Sequence, residues 1–257
     1  MKDKYFLDLL TLETEMIFRE YTDSTKNTYK RYVRDFLEYT EKETLEINKE
    51  DIEEYLDICL ETDSKNTVLI KLNAVEFFFT EILGLDVTEK VKKYEREFKI
   101  KELITSDEID ILIVSVGTKE KLLYKMVIET GMKVSEIKEL IVNDLVKDKD
   151  NWKLAKYIIS TALAREITEF IEHNDIEGYI FYSKNGQQLH ETTIRNWLRT
   201  STKQYLGREC TFSDIRHRKA MEMWKIGKKD EAVEYLQVKD RYAVVQYYKR
   251  IGHELEI

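Results

Sequence analysis

The chain has no proline among its 257 residues and only eight glycines. Because proline breaks helices and glycine weakens them, a chain with so few of either favours long stretches of uninterrupted helix. Hydrophobic residues make up 42% of the sequence, enough to bury one face of each helix in a core. The sequence therefore predicts a mainly α-helical protein with short connections.

The first 85 residues carry apolar side chains at three-four spacing, which is typical of amphipathic helices. One pattern covers residues 5–20, a second begins near Ser24 or Thr25, a third at Asn48 or Lys49 and a fourth at Ser64. Serine, threonine and asparagine are good N-caps. We predict a compact helical bundle over residues 1–86.

Residues 87–103, DVTEKVKKYEREFKIKE, are charged and only weakly periodic, and we predict that they form a linker. The segment is either a solvated connector or a basic strap across a DNA backbone. Its basic residues are Lys90, Lys92, Lys93, Arg96, Lys99 and Lys101.

Beyond residue 104 the helical pattern is interrupted by β-type segments. Thr105 and Glu108 have the spacing of a capping box at the start of a helix. Between residues 141 and 160 the helical periodicity lapses around a charged turn, which predicts a small antiparallel sheet. A further strand is predicted at 179–182, and the last three helices at about 213–227, 229–237 and 240–250. The predicted second domain, 104–257, is therefore α+β.

The distribution of charge is uneven, although the net charge is −8. Residues 1–180 carry a net charge of −13, and residues 181–250 carry +7. Such asymmetry suggests either an anionic partner or simply a solvated helix face. The basic residues that we predict to contact DNA are Lys203, Arg208, Arg218, Lys219, Lys239, Arg241 and Lys249.

Several classes of protein are disfavoured by what the sequence lacks. No apolar run approaches the ~20 residues that span a membrane, and the opening residues MKDKYFLDLL do not resemble a signal peptide. Cys59 and Cys210 fit reduced thiols, so we expect a cytoplasmic protein. The histidines have no metal-ligand spacing and no Gly-rich phosphate loop is present, so we predict no metal, cofactor or nucleotide site.

With these elements placed, nearly the whole chain resembles the tyrosine recombinase (phage integrase, Xer-like) family. The N-terminal helices are similar to that family's core-binding domain, and ITSDEIDILI resembles the entry to its catalytic domain. The resemblance therefore implies a SAM-like core-binding domain over residues 1–86 and a catalytic-type domain over residues 104–257. Three catalytic boxes follow in order. They are TGMKVSEIKEL, similar to Thr-Gly-[Leu/Met]-Arg-x-Ser-Glu; FSDIRHRKA, similar to His-x-Leu-Arg-His; and LQVKDRYAVVQYY, similar to Leu-Gly-His followed nine residues later by tyrosine.

The resemblance implies a role for five residues. Arg216 and Lys133 fall where the family's arginines hold the scissile phosphate. Tyr247 falls at the nucleophile, which would form a 3′-phosphotyrosyl link. Lys153 would be the hairpin lysine that protonates the leaving 5′ oxygen. His217 matches the last histidine of the second box and either handles protons or packs structurally.

Two of these assignments have alternatives. Tyr248 would be the nucleophile if the register slipped by one residue, and Lys156 is the second candidate for the hairpin lysine.

The boxes also depart from the family pattern. Lys133 replaces the first arginine and loses its bidentate fork. Ser213, which we expect to act as a helix N-cap, replaces one histidine, and Val238 replaces another. Gln237 replaces the glycine of the last box. Losing a donor to the reacting phosphate typically costs about 10²–10³ in rate, so the departures predict weakened or lost activity.

The resemblance thus implies binding to double-stranded DNA, with homo-oligomers forming on it, and strand cleavage and rejoining if the chemistry survives. The alternatives are a catalytically inactive structural or regulatory DNA-binding derivative, or a protein-interaction module that kept the fold. The acidic N-terminal region favours the last of these.

Overall fold

We describe a computed structural model of the chain, covering residues 4–89, 91, 94–98 and 100–255. The chain divides into two compact units, Met1–Phe98 and Lys99–Ile257. The division falls inside the predicted linker, whose boundaries at residues 86 and 104 remain predictions. The linker residues Lys90, Lys92, Lys93 and Lys99 lie outside the described residues.

The first unit is a helical bundle, as the periodicity predicts. Thr22, Asn48 and Ser64 cap three of its helices by accepting a hydrogen bond from a backbone amide three residues on. The second helix therefore starts slightly earlier than predicted. The elements are α1 (Phe6–Phe18), α2 (Asp23–Thr40), a 3-10 turn (Thr44–Glu46), α3 (Lys49–Thr62), α4 (Lys65–Glu76) and a π-helical continuation (Phe77–Ile82).

The core of this unit is built from the apolar face of each helix. Leu12, Phe36, Leu56 and Phe79 are completely buried, and Phe36 and Phe79 meet edge-on with ring centroids 6.1 Å apart. Of the aromatic residues of α2, Phe36 is buried, whereas Tyr29 and Tyr32 are half-buried and Tyr39 is exposed. Burial of each large side chain contributes roughly 1.5–3 kcal/mol to stability.

The second unit combines helices with a three-stranded antiparallel sheet of order β1-β2-β3. The predicted fold class, mainly α with a small antiparallel sheet, is confirmed. The elements are α5 (Ser106–Ser115), α6 (Thr118–Thr130), α7 (Val134–Ile137), a 3-10 turn (Val142–Asp144), β1 (Leu145–Asp148), β2 (Asn151–Leu154), β3 (Tyr157–Ile159), α8 (Thr161–His173), α9 (Glu191–Leu206), α10 (Phe212–Lys225), α11 (Lys229–Leu236) and α12 (Arg241–Arg250).

The strand predicted at 179–182 is wrong. Tyr179 and Tyr182 make only isolated bridges, to Ile141 and Gln188. Ile180 is completely buried, and its amide donates to a loop carbonyl outside the sheet. The apolar run is therefore a buried connection and not a strand.

The last three helices pack around a core of their own, which positions the residues of the last two boxes. Trp224, Tyr235, Val244 and Tyr248 belong to this core, together with Leu103 from the end of the predicted linker. The N-terminal end of this unit therefore packs on the helix that carries the paired tyrosines.

Gly131 fixes the approach of α6 to α11. Its φ of +69° lies in the left-handed region, and a Cβ added there would sit 2.3 Å from the carbonyl oxygen of Tyr235. The Tyr235 hydroxyl donates to the backbone oxygen of Val127 at 2.9 Å. Gly131 in the first box thus packs closely on the backbone of Tyr235, the residue that precedes the last box.

Among the described residues, no helix has both the length and the apolar character needed to cross a membrane.

Candidate active site

Glu136 is the centre of one half of the candidate site. The backbone amide of Lys133 donates to its Oε2 at 2.9 Å, which fixes the carboxylate at the start of α7. Tyr157 Oη and Lys156 Nζ each lie 2.7 Å from Oε1, and Gln237 Nε2 donates to Oε2 at 2.9 Å. Burial acts to raise the pKa of Glu136, but these hydrogen bonds prevail and lower it to about 2. The carboxylate is therefore ionised at neutral pH.

Arg216 joins this cluster from α10. Its Nη2 donates to the carbonyl oxygen of Leu236 at 2.9 Å. Its buried Nε has no hydrogen-bond partner within the described part of the chain. Burial lowers the pKa of the guanidinium, opposed by the nearby Tyr235, Glu136 and Tyr157. The residue as a whole is only half-buried, and a guanidinium is well suited to receive an anion through its terminal nitrogens.

The structure separates the two candidate hairpin lysines. Lys153 lies on β2, and its Nζ pairs with Asp148 on β1 at 2.6 Å. Lys156 lies in the turn between β2 and β3 and pairs with Glu136. Lys156, and not Lys153, therefore reaches the cluster that contains Arg216.

Tyr247 lies over the first turns of α10. Its ring stacks on His217, with centroids 3.8 Å apart and planes 11° from parallel. Burial and the negative charge of Asp214 raise the pKa of the half-buried phenol, while a hydrogen bond with the Ser213 side chain acts to lower it. Ser213, at the family's histidine position, therefore interacts with the predicted nucleophile. The N-cap of α10 is Thr211 and not Ser213 as expected from the sequence.

Tyr248 has a different environment. It is completely buried and donates its hydroxyl hydrogen bond to the backbone oxygen of His217. Burial strongly raises the pKa of this phenol. A core tyrosine with an occupied hydroxyl is poorly placed to attack a substrate, so the geometry favours Tyr247.

His217 is neutral at physiological pH. Burial and the neighbouring charge of Arg216 lower its pKa to about 4. Its buried Nδ1 has no hydrogen-bond partner among the residues that the structure describes. The ring therefore supports Tyr247 by packing and is not protonated near neutral pH.

Lys133 remains exposed beside the cluster. Its backbone amide donates a hydrogen bond to the Glu136 carboxylate, whereas its ammonium forms no ion pair with the described residues. The structure therefore places Lys133 next to Glu136 without fixing its charged end.

The predicted DNA contacts fall into two groups. Lys239 and Lys249 are exposed and form no ion pair with the described residues. The others lie near carboxylates, in pairs whose nitrogen–oxygen distances run from 2.6 to 3.8 Å. These pairs are Lys203 with Glu209, Arg208 with Glu108, Arg218 and Lys219 with Glu222, and Arg241 with Asp230.

Lys101, from the predicted basic strap, is also paired. It forms an ion pair with Asp214, which is almost completely buried near the start of α10. Its backbone amide donates to Ile251 at 3.2 Å. Lys101 therefore ties the end of the linker to α10 and α12.

Comparison with known proteins identifies the family. A profile for the N-terminal SAM-like domain of phage integrases matches residues 9–89, and one for the phage integrase family matches residues 93–253. The chain belongs to the phage integrase family. The family predicted from the boxes is thereby confirmed, and the three boxes lie within the second match.

Relatives of this integrase-family chain span most of its length. A tyrosine recombinase from Thermosipho africanus (strain TCF52B) is 26% identical over 207 residues, covering 72% of this chain and 73% of the relative. A lambda integrase dimer bound to a COC′ core site superposes with a TM-score of 0.75 at 15% identity, covering 98% of each chain. A lambda integrase tetramer bound to a Holliday junction gives 0.76 at 15% identity, covering 98% of this chain and 79% of that one.

Sequence reasoning missed three members of the Glu136 cluster. The sequence places Glu136 in the first box without indicating a role for it, and it predicts Tyr157 only as part of the small sheet. Gln237 stands out in the sequence only as a departure from the glycine of the last box. That departure is the feature of the sequence that could have indicated a role for Gln237, because a larger side chain at a position that suits glycine needs a structural reason.

No group of three or more candidate metal ligands occurs among the described residues.

Proposed function

We propose that this protein binds double-stranded DNA and cleaves and rejoins one strand through a 3′-phosphotyrosyl link on Tyr247. One observation carries the proposal. Two consecutive residues of α10 contact the last box at its two ends, Arg216 at the Leu236 carbonyl and His217 at the Tyr247 ring. A phosphate-binding guanidinium and a phenol are therefore both anchored to the same turn of one helix.

In the proposed reaction, Arg216 binds the phosphate through the terminal N–H donors that the Leu236 carbonyl leaves unused, with Lys133 adding positive charge. The Tyr247 oxygen attacks phosphorus and loses its proton to solvent through the Ser213 hydroxyl. The bond from phosphorus to the 5′ oxygen breaks as Lys156 donates a proton to that oxygen. Rejoining reverses each step. Lys153 was the first choice from the sequence, but its pairing with Asp148 favours Lys156 for this role.

We expect the reaction to be slow. Lys133 offers a single ammonium where the family pattern has a guanidinium, and the side chain of Val238 has no hydrogen-bond donor. Each missing donor typically costs about 10²–10³ in rate. Long incubations are therefore needed to detect cleavage.

A covalent-capture experiment tests the proposal without knowledge of the target site. The protein is incubated with a pool of nicked duplexes carrying randomised arms, and DNA that survives denaturing wash on the protein is sequenced. The wild type should retain DNA on Tyr247, and Tyr247→Phe should retain none. Tyr248→Phe is the matched control and should still retain DNA. Equal retention by the wild type and Tyr247→Phe would end the proposal of cleavage.

A second candidate is DNA binding without cleavage, with a structural or regulatory role. The raised pKa of Tyr247 and the neutral His217 favour it, because neither group is activated at neutral pH. In a gel-shift titration, Arg216→Ala should then weaken binding, while Tyr247→Phe should leave it unchanged. Failure of the wild type to shift any duplex at low salt would instead support a protein-interaction module.

Assembly on DNA is part of the proposal. The matched lambda integrase structures contain a dimer and a tetramer on DNA. We expect this chain to bind as a homo-oligomer when two half-sites are present. Analytical ultracentrifugation of the protein with one or two half-sites tests this expectation.

A further inference from the structure

Gln237 occupies a backbone position that favours glycine. It follows the last residue of α11 with φ +56° and ψ +46°, in the left-handed region. A Cβ is sterically unfavourable there, and glycine is the residue that normally ends a helix in this conformation. The presence of glutamine therefore calls for a compensating interaction by its side chain.

The side chain of Gln237 closes a ring of three hydrogen bonds. Its Nε2 donates to Glu136 Oε2 at 2.9 Å and to Tyr157 Oη at 2.6 Å. Tyr157 in turn donates to Glu136 Oε1 at 2.7 Å. Both hydrogens of the amide nitrogen are used, so the ring holds all three side chains in a fixed arrangement.

The ring joins three separate elements of the second unit. Gln237 follows α11, Glu136 belongs to α7 and Tyr157 begins β3. Lys156, the residue before Tyr157, pairs with the same carboxylate at 2.7 Å. The carbonyl of Leu236, the residue before Gln237, accepts the hydrogen bond from Arg216. Arg216 thus contacts Leu236, and the next residue, Gln237, contacts the same Glu136 carboxylate as Lys156.

The ion pair of Lys156 is too exposed to hold the turn by itself. The Lys156 side chain is 64% exposed, and exposed ion pairs contribute little because water screens them and long side chains lose entropy. The Glu136–Tyr157–Gln237 ring is more buried and uses directional bonds. It is therefore the stronger restraint on the β2–β3 turn.

We propose that Gln237 is a positioning residue, which pins the β2–β3 turn to α11 and so holds Lys156 beside Arg216. The role of Lys156 as proton donor rests on the proposed function, whereas the restraint on the turn does not. The side chain of Val238, the next residue, cannot donate a hydrogen bond. Gln237 therefore adds an ordered polar contact to a box that has lost the family's histidine.

Two variants separate the side chain from the backbone. Gln237→Gly removes the amide and suits the left-handed conformation, so the fold should be kept. Gln237→Asn also tolerates this conformation and keeps an amide that is one methylene too short to reach both partners. Tyr157→Phe removes two bonds of the ring, the one donated to Glu136 and the one accepted from Gln237, and leaves only the bond from Gln237 to Glu136.

The first measurement is independent of cleavage. Acylation of lysines by a small ester reagent is followed by mass spectrometry, together with hydrogen exchange of residues 151–159. In Gln237→Gly, Lys156 should react at least threefold faster and the amides around the turn should exchange faster. Lys153 is the control, because it lies on β2 of the same sheet and pairs with Asp148 on β1, away from the β2–β3 turn. Unchanged reactivity and exchange would overturn the proposed restraint.

The second measurement uses DNA. In Gln237→Gly and Gln237→Asn the rate of adduct formation should fall about tenfold while the Kd for duplex is unchanged. A wild-type rate in both variants would refute the positioning role and leave the proposed cleavage intact. If the wild type itself forms no adduct, the proposed cleavage fails, and the acylation and exchange data alone decide whether Gln237 restrains the turn.

Discussion

The imidazole of His217 lies flat against the phenol ring of Tyr247, with their centroids 3.8 Å apart. The neighbouring Tyr248 meets both rings edge-on, at 5.5 Å from each. The stack packs α12 against α10, and the Tyr247 hydroxyl lies near Ser213. A histidine in this position acts as a surface for packing, which has consequences for the pH dependence of both activity and stability.

The proposed cleavage should accelerate with pH. Burial and Asp214 raise the pKa of the Tyr247 phenol, and His217 has a pKa of about 4, so His217 does not change its charge between pH 6 and 9. The fraction of phenolate, and with it the rate, should increase with pH over this whole range. The measurement is the rate of adduct formation on a captured duplex. An inflection near pH 6.5 that disappears in His217→Gln would show instead that His217 acts as the base.

His217 should also make the protein less stable in acid. The pKa of His217 is about 4 in the folded protein, compared with 6.5 for a histidine exposed to water. Between these values the unfolded chain binds more protons than the native chain, so the free energy of unfolding decreases as the pH falls from 6.5 towards 4. The contribution lost is on the order of 3 kcal/mol.

Urea denaturation of the wild type and His217→Gln at pH 7 and pH 4.5 measures this effect. The advantage of the wild type should shrink in acid, because only the wild type must release or bury the extra proton. Other carboxylates titrate equally in both proteins and cancel in the difference. A constant difference between the two proteins at both pH values would contradict the pKa of His217.

The sequence is a good guide where structure depends on neighbours within a few residues. The sequence predicts helix starts at Asn48 or Lys49 and at Thr105, and in the structure Asn48 and Thr105 form capping boxes with the residue three positions on. Tyr247 was placed as nucleophile by counting along a helix, and the burial of Tyr248 supports that register. Caps and helical spacing are local, so one sequence is enough to read them.

The sequence is a poor guide where position depends on packing between distant segments. The spacing of the boxes could not decide between Lys153 and Lys156, because only the register of the β2–β3 hairpin determines which one faces Glu136. The interaction of Gln237 with Tyr157 joins residues 80 positions apart. Apolar content alone predicted a strand at 179–182, where the backbone finds only isolated partners.

Gly131→Ala should destabilise the protein strongly. The substitution places a Cβ 2.3 Å from the carbonyl oxygen of Tyr235 and also forces alanine into the left-handed region. The left-handed conformation costs about 1–2 kcal/mol, and the clash adds about 1–3 kcal/mol. Gly207→Ala is the matched control, because its φ of +71° is similar and a Cβ there meets no atom of the described residues within 4 Å.

Thermal denaturation of both variants checks the prediction. Gly207→Ala should lose only the conformational contribution, whereas Gly131→Ala should lose that and the contact with α11. Equal losses of stability in the two variants would show that the close packing of α6 on α11 at Gly131 does not contribute to the stability of the fold.

The unpaired lysine of the last box should contribute more to DNA affinity than the paired arginine beside it. Lys239 is exposed without an ion pair among the described residues, while Arg241 is held by Asp230 at 2.6 Å. A lysine that neutralises one phosphate releases counterions and contributes about 0.9 to the slope of log affinity against log salt. Arg241 brings little net charge because its partner cancels it. Lys239→Ala should therefore reduce the slope by about 0.9, and Arg241→Ala should change it much less. Fluorescence anisotropy of a labelled duplex at several salt concentrations measures both slopes, and a larger effect of Arg241→Ala would show that the Asp230 pair opens on DNA.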